Sequence, residues 1–255
     1  MHVLRALLRT AKLIGYFTWF GLELLIRRPA TRQARADWLH RFCAAALRGF
    51  DVKLTVEGEF PARGALISNH LSYLDIIVFA AMSPCVFCSK AEIKHWPILG
   101  WMTTMAGTVY VDRGRGGSAA KAGGEMKLAA EAGLPVVFFP EGTTSNGEQV
   151  LAFHSGLLAQ AIGAEEPITG AYLSYSLDEE NGEGVSVSDD VAYWGDVNML
   201  KHIFRFLGLQ GCHARVRIGD GPIAFRCGVK DRKGAAREAR EAVLELAGTF
   251  VNTAT

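Results

Sequence analysis

The chain has 255 residues, 49% of them hydrophobic and 21% charged, which is enough apolar material to bury a globular core. Its formal net charge of +1 excludes the strong overall positive field that draws proteins to nucleic acid. The 5 cysteines are odd in number and irregularly spaced, which is unlike a disulfide framework, and no cluster has the spacing of a metal site.

The first fifty residues are predicted to form helices that associate with a membrane. Apolar side chains dominate from Val3 to Ile26, but the charge-free stretch Leu13–Leu22 is too short to cross about 30 Å of hydrocarbon. The pattern favours a helix that lies in or dips into a bilayer, with Tyr16 and Trp19 near the head groups. The alternative is an amphipathic helix packed against the protein's own core.

A cluster of basic residues follows this helix: Arg27, Arg28, Arg32 and Arg35. Such a cluster is typical either of a solvated linker or of a contact with anionic lipid head groups. Because positive residues favour the cytoplasmic side, we expect membrane association at the cytoplasmic face of the inner (plasma) membrane. A second helical segment is predicted from about Ala36 to Phe50.

From residue 51 onward, short apolar runs alternate with segments of helical periodicity. The predicted strands are Leu54–Val56, Ala65–Ser68, Val86–Ser89, Thr108–Val111, Val136–Phe139, Ile168–Tyr175 and Ala214–Ile218. The predicted helices are Leu74–Met82, Ala91–Thr103, Ser118–Ala132, Gly156–Gly163 and Ala235–Phe250. This alternation predicts that residues 51–255 form one α/β domain with a mixed, largely parallel sheet flanked by helices. Asp178–Asp190 is predicted to be an acidic surface loop.

The predicted strand Ala65–Ser68 leads into Asn69 and His70, with Asp75 five residues after the histidine. Histidine titrates near neutral pH and accepts a proton from a hydroxyl when a carboxylate orients its ring. The two side chains meet only if His70 precedes a helix and Asp75 lies in its first turn, with Ser72 as the predicted N-cap. The alternative is structural, because Ser72–Asp75 also matches a capping box.

Two other predicted strands end in groups suited to a polar ligand. The residues after Val136–Phe139 include Glu141, Gly142, Thr143, Thr144 and Ser145. Their backbone and hydroxyl groups are typical of a site for an anionic or polar head group, or of an ordinary polar turn. After Thr108–Val111 come Arg113 and Gly114, and an arginine here either binds a phosphate or makes a surface salt bridge.

The run Gly114–Ala119 also matches the dinucleotide-binding pattern G-x-G-x-x-A, between a predicted strand and a predicted helix. A nucleotide-dependent oxidoreductase is therefore an alternative, but it leaves His70 and the hydroxyls of Thr143–Ser145 without a role. A serine hydrolase is disfavoured, because Phe153 and Leu157 occupy the glycine positions of a G-x-S-x-G motif.

Three blocks together resemble the lysophospholipid acyltransferase family, typified by the bacterial 1-acylglycerol-3-phosphate acyltransferases. They are Asn69-His70 with Asp75 (N-H-x-x-x-x-D), Val109–Gly114 (ending in Arg-Gly) and Phe139–Thr143 (F-P-E-G-T). The resemblance covers roughly residues 52 to 222. It implies transfer of a fatty-acyl chain from acyl-CoA or acyl-carrier protein to the free hydroxyl of a lysolipid in membrane lipid synthesis.

The resemblance also implies roles for single residues. His70 is expected to act as general base, oriented by Asp75, with direct attack on the thioester and no acyl-enzyme. The expected substrate-binding residues are Arg113, Gly114, Glu141, Gly142, Thr143, Thr144 and Ser145. The expected partners are the lysolipid, the acyl donor and the bilayer, with no cofactor, metal or nucleic acid. A non-catalytic lipid-binding protein of the same fold is the other alternative, but it has no need of the base.

Two positions depart from the phosphatidate-forming members that the chain resembles. Thr144 stands where those members commonly have Arg, and His154 where they commonly have Lys in an F-K-x-G block. Charge-assisted hydrogen bonds to a phosphate contribute about 1.5–3 kcal/mol each, so we expect weakened binding of a dianionic acceptor. The run Glu141–Gly147 and the segment from Trp194 to Leu209 are similar to acyltransferases that take zwitterionic acceptors. Lyso-ornithine lipid and lysophosphatidylcholine therefore stand beside lysophosphatidate as candidate acceptors.

Overall fold

The structure is a computed structural model that describes residues 2–95, 99–111, 118–163, 166–226 and 231–248. Its strands are β1 (Val52–Glu57), β2 (Ala65–Ser68), β3 (Val86–Lys90), β4 (Val109–Val111), β5 (Val136–Phe138), β6 (Ile168–Leu177) and β7 (Cys212–Pro222). They form a 7-stranded sheet in the order β1-β7-β6-β2-β5-β3-β4. Every neighbouring pair is parallel except β6 and β7, which are antiparallel.

Helices cover both faces of this sheet. They are α1 (His2–Arg27), α2 (Arg32–Gly49), α3 (Leu74–Met82), α4 (Leu99–Met105), α5 (Ser118–Glu131), α6 (Ser155–Gly163), α7 (Val187–Asp190), α8 (Met199–Gly208) and α9 (Arg232–Gly248). Side chains alternate between the faces along a strand, so Leu66 of β2 enters one apolar core while Ala65 and Ile67 enter the other. The first core includes α1, α2, α3 and α8, and the second includes α5, α6 and α9.

The observed architecture confirms the predicted fold class of a mixed, largely parallel sheet flanked by helices. The bounds of β2 and α3 agree with the sequence prediction residue for residue. The predicted helix Ala91–Thr103 differs, because a short 3-10 helix covers Ala91–His95 and α4 begins only at Leu99. The division of the chain at residue 50 stays a prediction.

The segment predicted as an acidic surface loop is more ordered than expected. It contains a 3-10 turn at Glu179–Asn181 and the short helix α7, and the side chain of Asp190 is fully buried. Asp190 accepts the N–H of Ser186 and pairs with Arg205 of α8, a helix that the sequence analysis did not predict. The loop prediction was therefore wrong at its C-terminal end. Acidic residues are usually exposed, but Asp190 is buried because Ser186 and Arg205 provide partners for its carboxylate.

The N-terminal helix α1 has two apolar faces. On the inner face, Phe20 and Leu24 are buried, and Arg9 donates to the carbonyl oxygens of Leu207 and Leu209 at the end of α8. Tyr16, expected near head groups, instead packs against Gly49 of α2. The outer face exposes Val3, Leu4, Leu7, Leu8, Ile14, Trp19, Leu22, Leu25 and Ile26. Among the helices that the structure describes, none has the length and apolar character needed to cross a bilayer.

Candidate active site

The carboxyl end of β2 leads into a turn that brings His70 and Asp75 together. β2 ends at Ser68, and Asp75 is the second residue of α3. The Nδ1 atom of His70 lies 2.7 Å from Oδ2 of Asp75. Because an ionised carboxylate only accepts hydrogen bonds, this contact places the imidazole proton on Nδ1. The geometry is the one that the sequence spacing requires of a catalytic pair.

The Asp75 carboxylate is fully buried and accepts hydrogen bonds from four donors. Oδ2 accepts from His70, from the backbone N–H of Leu71 at 2.6 Å and from that of Ser72 at 3.0 Å. Oδ1 accepts from the hydroxyl of Tyr175 at 2.8 Å. A buried carboxylate needs this degree of compensation, because its desolvation is costly.

The prediction that Ser72 is the N-cap of α3 was wrong. Tyr73 occupies that position without a side-chain cap, and the Ser72 hydroxyl is buried with no hydrogen-bond partner in the described part of the chain. The capping-box interpretation is half right, because Asp75 does accept the Ser72 N–H. Asp75 therefore closes the turn and orients His70 with the same oxygen.

The His70 ring is held on one side by the buried Asp75 and is partly exposed on the other. It stacks on Phe139 with ring centroids 4.0 Å apart and planes 6° from parallel. Its side chain is 16% exposed, and Nε2 has no hydrogen bond to any residue that the structure describes. With the proton on Nδ1, Nε2 carries a free lone pair that can accept a proton from a bound hydroxyl.

Glu141, which follows β5, holds the turn that carries His70 through both of its carboxylate oxygens. Oε1 accepts the backbone N–H of His70 at 2.8 Å, and Oε2 accepts that of Leu151 at 2.9 Å. The side chain is only 2% exposed, and burial raises the pKa of this carboxyl while the two N–H donors oppose the rise. Its predicted contact with substrate stays a prediction, since the protein itself uses both oxygens.

The rest of the Glu141 loop divides into an anchored part and an open part. Gly142 adopts a φ of 69°, in the left-handed region that favours glycine. Ser145 is buried, and its N–H donates to the carbonyl of His70 at 3.0 Å. Thr143 is exposed and Thr144 is half-buried, so their hydroxyls remain near the surface of the loop.

The predictions for Arg113 and Gly114 lie outside the described residues, as do positions 114–117 of the alternative dinucleotide motif.

Three contacts around the site were not found from the sequence. The Asn69 side chain bridges the N–H and the carbonyl of Leu173 on β6, at 2.8 and 2.9 Å. Tyr73 contacts the buried His202 of α8 at 3.1 Å. Tyr175 reaches Asp75 across 100 positions of sequence. Asn69 belongs to the N-H-x-x-x-x-D motif, but no pattern in the sequence indicated that Leu173, Tyr175 and His202 would contact this site.

Comparisons with known proteins show which family and which solved fold this chain resembles. The model of the Acyltransferase family matches residues 53–174. A lyso-ornithine lipid O-acyltransferase of Pseudomonas aeruginosa is 35% identical, and the match covers 100% of this chain and 98% of that protein. A 1-acyl-sn-glycerol-3-phosphate acyltransferase of Neisseria meningitidis is 31% identical over 74% of this chain and 71% of its own. The crystal structure of the 1-acyl-sn-glycerophosphate acyltransferase PlsC from Thermotoga maritima shares the fold, with a TM-score of 0.67 at 19% identity, covering 97% of this chain and 98% of that one.

The fold and the site together define an α/β transferase whose histidine and buried aspartate meet at the carboxyl edge of the sheet. The chain belongs to the acyltransferase family and is an O-acyltransferase of lipid metabolism. This family membership confirms the family resemblance inferred from the sequence and does not favour the oxidoreductase alternative.

Replacing Glu141 by alanine removes the acceptor of two backbone N–H groups. Because each unsatisfied buried donor costs about 1–3 kcal/mol, we expect the free energy of unfolding to fall by about 2 kcal/mol or more. Urea denaturation at pH 7 measures the change. The matched control is Glu148→Ala, an exposed glutamate of the same loop, for which about 0.5 kcal/mol or less is expected. Equal stability of the two variants would contradict the role of Glu141 in holding the turn.

Proposed function

We propose that the protein transfers a fatty-acyl chain from a thioester donor to the free hydroxyl of a lysolipid, with His70 as general base. The observation that carries this proposal is the hydrogen bond from His70 Nδ1 to the buried Asp75 carboxylate, which leaves Nε2 as the proton acceptor. A merely structural histidine has no need of a fixed tautomer and a partly exposed second nitrogen.

The reaction follows from this geometry in two proton transfers. Nε2 of His70 takes the proton of the acceptor hydroxyl as its oxygen attacks the thioester carbonyl carbon, and the Asp75 carboxylate stabilises the resulting imidazolium. The carbon–sulfur bond then breaks, the sulfur leaves with the proton from Nε2, and an ester and a free thiol are formed. No acyl-enzyme is required, because the attacking nucleophile is the lipid hydroxyl itself.

The acyl donor is proposed to be acyl-CoA or an acyl-carrier protein, both of which present a thioester on the same phosphopantetheine arm. It is consumed as a substrate, and the proposed chemistry needs no other cofactor.

The acceptor head group is proposed to bind the loop from Glu141 to Ser145, together with Arg113 and Gly114. Within the loop, the surface hydroxyls of Thr143 and Thr144 are the groups available to a ligand. Glu141 and Ser145 contribute by fixing the loop to the backbone of His70.

Lyso-ornithine lipid is the acceptor that these observations favour. Two relatives of that named activity match most of the chain, and the one from Pseudomonas aeruginosa matches all of it. Neither Thr144 nor the neighbouring His154 supplies the permanent positive charge that suits a phosphomonoester. Lysophosphatidate is the second candidate, supported by the relative from Neisseria meningitidis.

The outer face of α1 is proposed to lie in the membrane interface, where the lipid acceptor is found. Its exposed apolar side chains run the length of the helix, and the inner face is fixed to α2 and α8. Full burial of a leucine or isoleucine side chain contributes about 1.5–3 kcal/mol, so several such residues support stable binding to a bilayer. The cytoplasmic face of the inner membrane remains the expected location.

Replacing His70 by alanine is expected to lower kcat by about 10³-fold or more, because no group is then in place to accept the hydroxyl proton. Release of free thiol from an acyl-CoA measures turnover, and circular dichroism checks the fold. The control is His40→Ala, which removes a histidine of α2 bonded to the carbonyl of Ala80 in the last turn of α3. Turnover by the His70 variant at the rate of this control would refute the proposed base.

An acceptor panel with one acyl-CoA tests the head group. We expect kcat/KM to be highest for lyso-ornithine lipid, compared with lysophosphatidate and lysophosphatidylcholine. The double variant Thr144→Arg/His154→Lys should raise kcat/KM for lysophosphatidate about tenfold or more, because it adds two cations for the phosphate. Ala152→Arg adds an exposed cation to the same segment as the control. A wild-type preference for lysophosphatidate would overturn the assignment of the acceptor.

The double variant Ile14→Glu/Leu22→Glu places two charges on the outer face of α1. We expect its binding to phosphatidylglycerol–phosphatidylethanolamine vesicles to fall about tenfold or more, because buried carboxylates oppose insertion. Co-sedimentation measures the bound fraction. Leu128→Glu, at an exposed position of α5, is the matched control. Unchanged binding of the double variant would show that another surface contacts the bilayer.

A further inference from the structure

We propose that Tyr175 is a positioning residue of the His70–Asp75 pair and acts by fixing the Asp75 carboxylate. This inference rests on the proposed function, because it assigns Tyr175 a part in the reaction for which His70 is the base. Its starting point is the division of hydrogen bonds between the two oxygens of Asp75.

The two carboxylate oxygens have different tasks. Oδ2 is the oxygen that contacts His70, and it also accepts two backbone N–H groups of the turn. Oδ1 accepts from the Tyr175 hydroxyl, which is its one hydrogen-bond donor within the described residues. Tyr175 therefore holds the oxygen that the turn does not hold, so it limits rotation of the carboxylate group about its last bond and with it any displacement of Oδ2 from Nδ1 of His70.

Tyr175 is held by a rigid part of the sheet. It lies on β6, opposite Ala214 of the antiparallel strand β7, and its ring is buried in the first apolar core. Two residues earlier on the same strand, the backbone of Leu173 is clamped by the Asn69 side chain. A hydroxyl carried by a central strand holds its partner more closely than one carried by a loop.

The chemistry of the contact suits a permanent donor. Burial and the neighbouring Asp75 carboxylate raise the pKa of Tyr175, so its hydroxyl keeps its proton throughout the working pH range. By donating to Oδ1, the hydroxyl also draws negative charge away from the oxygen that faces His70. Tyr175 should accordingly influence both the geometry of the pair and the distribution of charge over the carboxylate that faces His70.

Tyr175→Phe keeps the ring and removes the hydroxyl. Hydrogen bonds to charged groups are among the stronger ones, so we expect kcat to fall about tenfold with KM for both substrates nearly unchanged. In an Asp75→Ala background the same substitution should have no effect on the residual rate, because the partner of the hydroxyl is gone. An equal loss of rate in both backgrounds would overturn the inference in favour of a purely structural tyrosine.

The pH profile supplies a second readout that a structural role would not move. Without the hydroxyl, the carboxylate stabilises the imidazolium more strongly, so the acidic limb of kcat/KM should shift upward by about 0.5 pH unit. Val243→Ala, in the second apolar core, is the control, because it should lower Tm without changing the pH profile of kcat/KM. An unshifted limb in the Tyr175 variant would count against the inference.

Failure of the proposed base and failure of the positioning role give different results. Wild-type turnover by His70→Ala would remove the proposed base and with it any role for Tyr175. An inactive His70→Ala together with a fully active Tyr175→Phe would leave the base in place and refute the positioning role alone.

Discussion

The structure around the active site depends on one buried carboxylate. Asp75 has no exposed surface, and an uncompensated charge there would be costly, so the four hydrogen bonds that it accepts together offset the cost of burying it. Three of the donors come from the turn after β2. The fourth comes from β6, which is distant in sequence but pairs with β2 in the sheet. Under the proposed mechanism, the same hydrogen bonds that stabilise this buried carboxylate also orient the base.

A second consequence is that the site is built largely from backbone. Glu141 and Ser145 each contact the main chain of His70, and Asp75 accepts two N–H groups of the same turn. The imidazole is therefore positioned by fixing the peptide on which it is carried, with Phe139 supporting one face of the ring. Under the proposed mechanism, such preorganisation lowers the cost of orienting the base in each catalytic cycle.

The sequence predicted the parts of this design that are local. The sheet class, β2 and α3 followed from periodicity, whereas the spacing left the meeting of His70 with Asp75 conditional and the family resemblance favoured it. The misses involve long-range contacts. Ser72 is not the N-cap, because Tyr73 occupies that position at the start of α3, and α8 was not predicted although its buried His202 contacts Tyr73. The link to Tyr175 depends on the pairing order of the strands, which one sequence does not reveal.

The two-residue spacing of Leu173 and Tyr175 fixes the register of β6 relative to the turn that carries Asn69 and Asp75. Side chains alternate across a strand, so residues two apart point the same way, and the clamp at Leu173 fixes which face carries the hydroxyl. A shift of β6 by a single residue would point that ring into the opposite core and leave Ser174 or Ser176 facing the carboxylate. Insertions and deletions should therefore be tolerated in the connections at either end of this strand but not between these two positions.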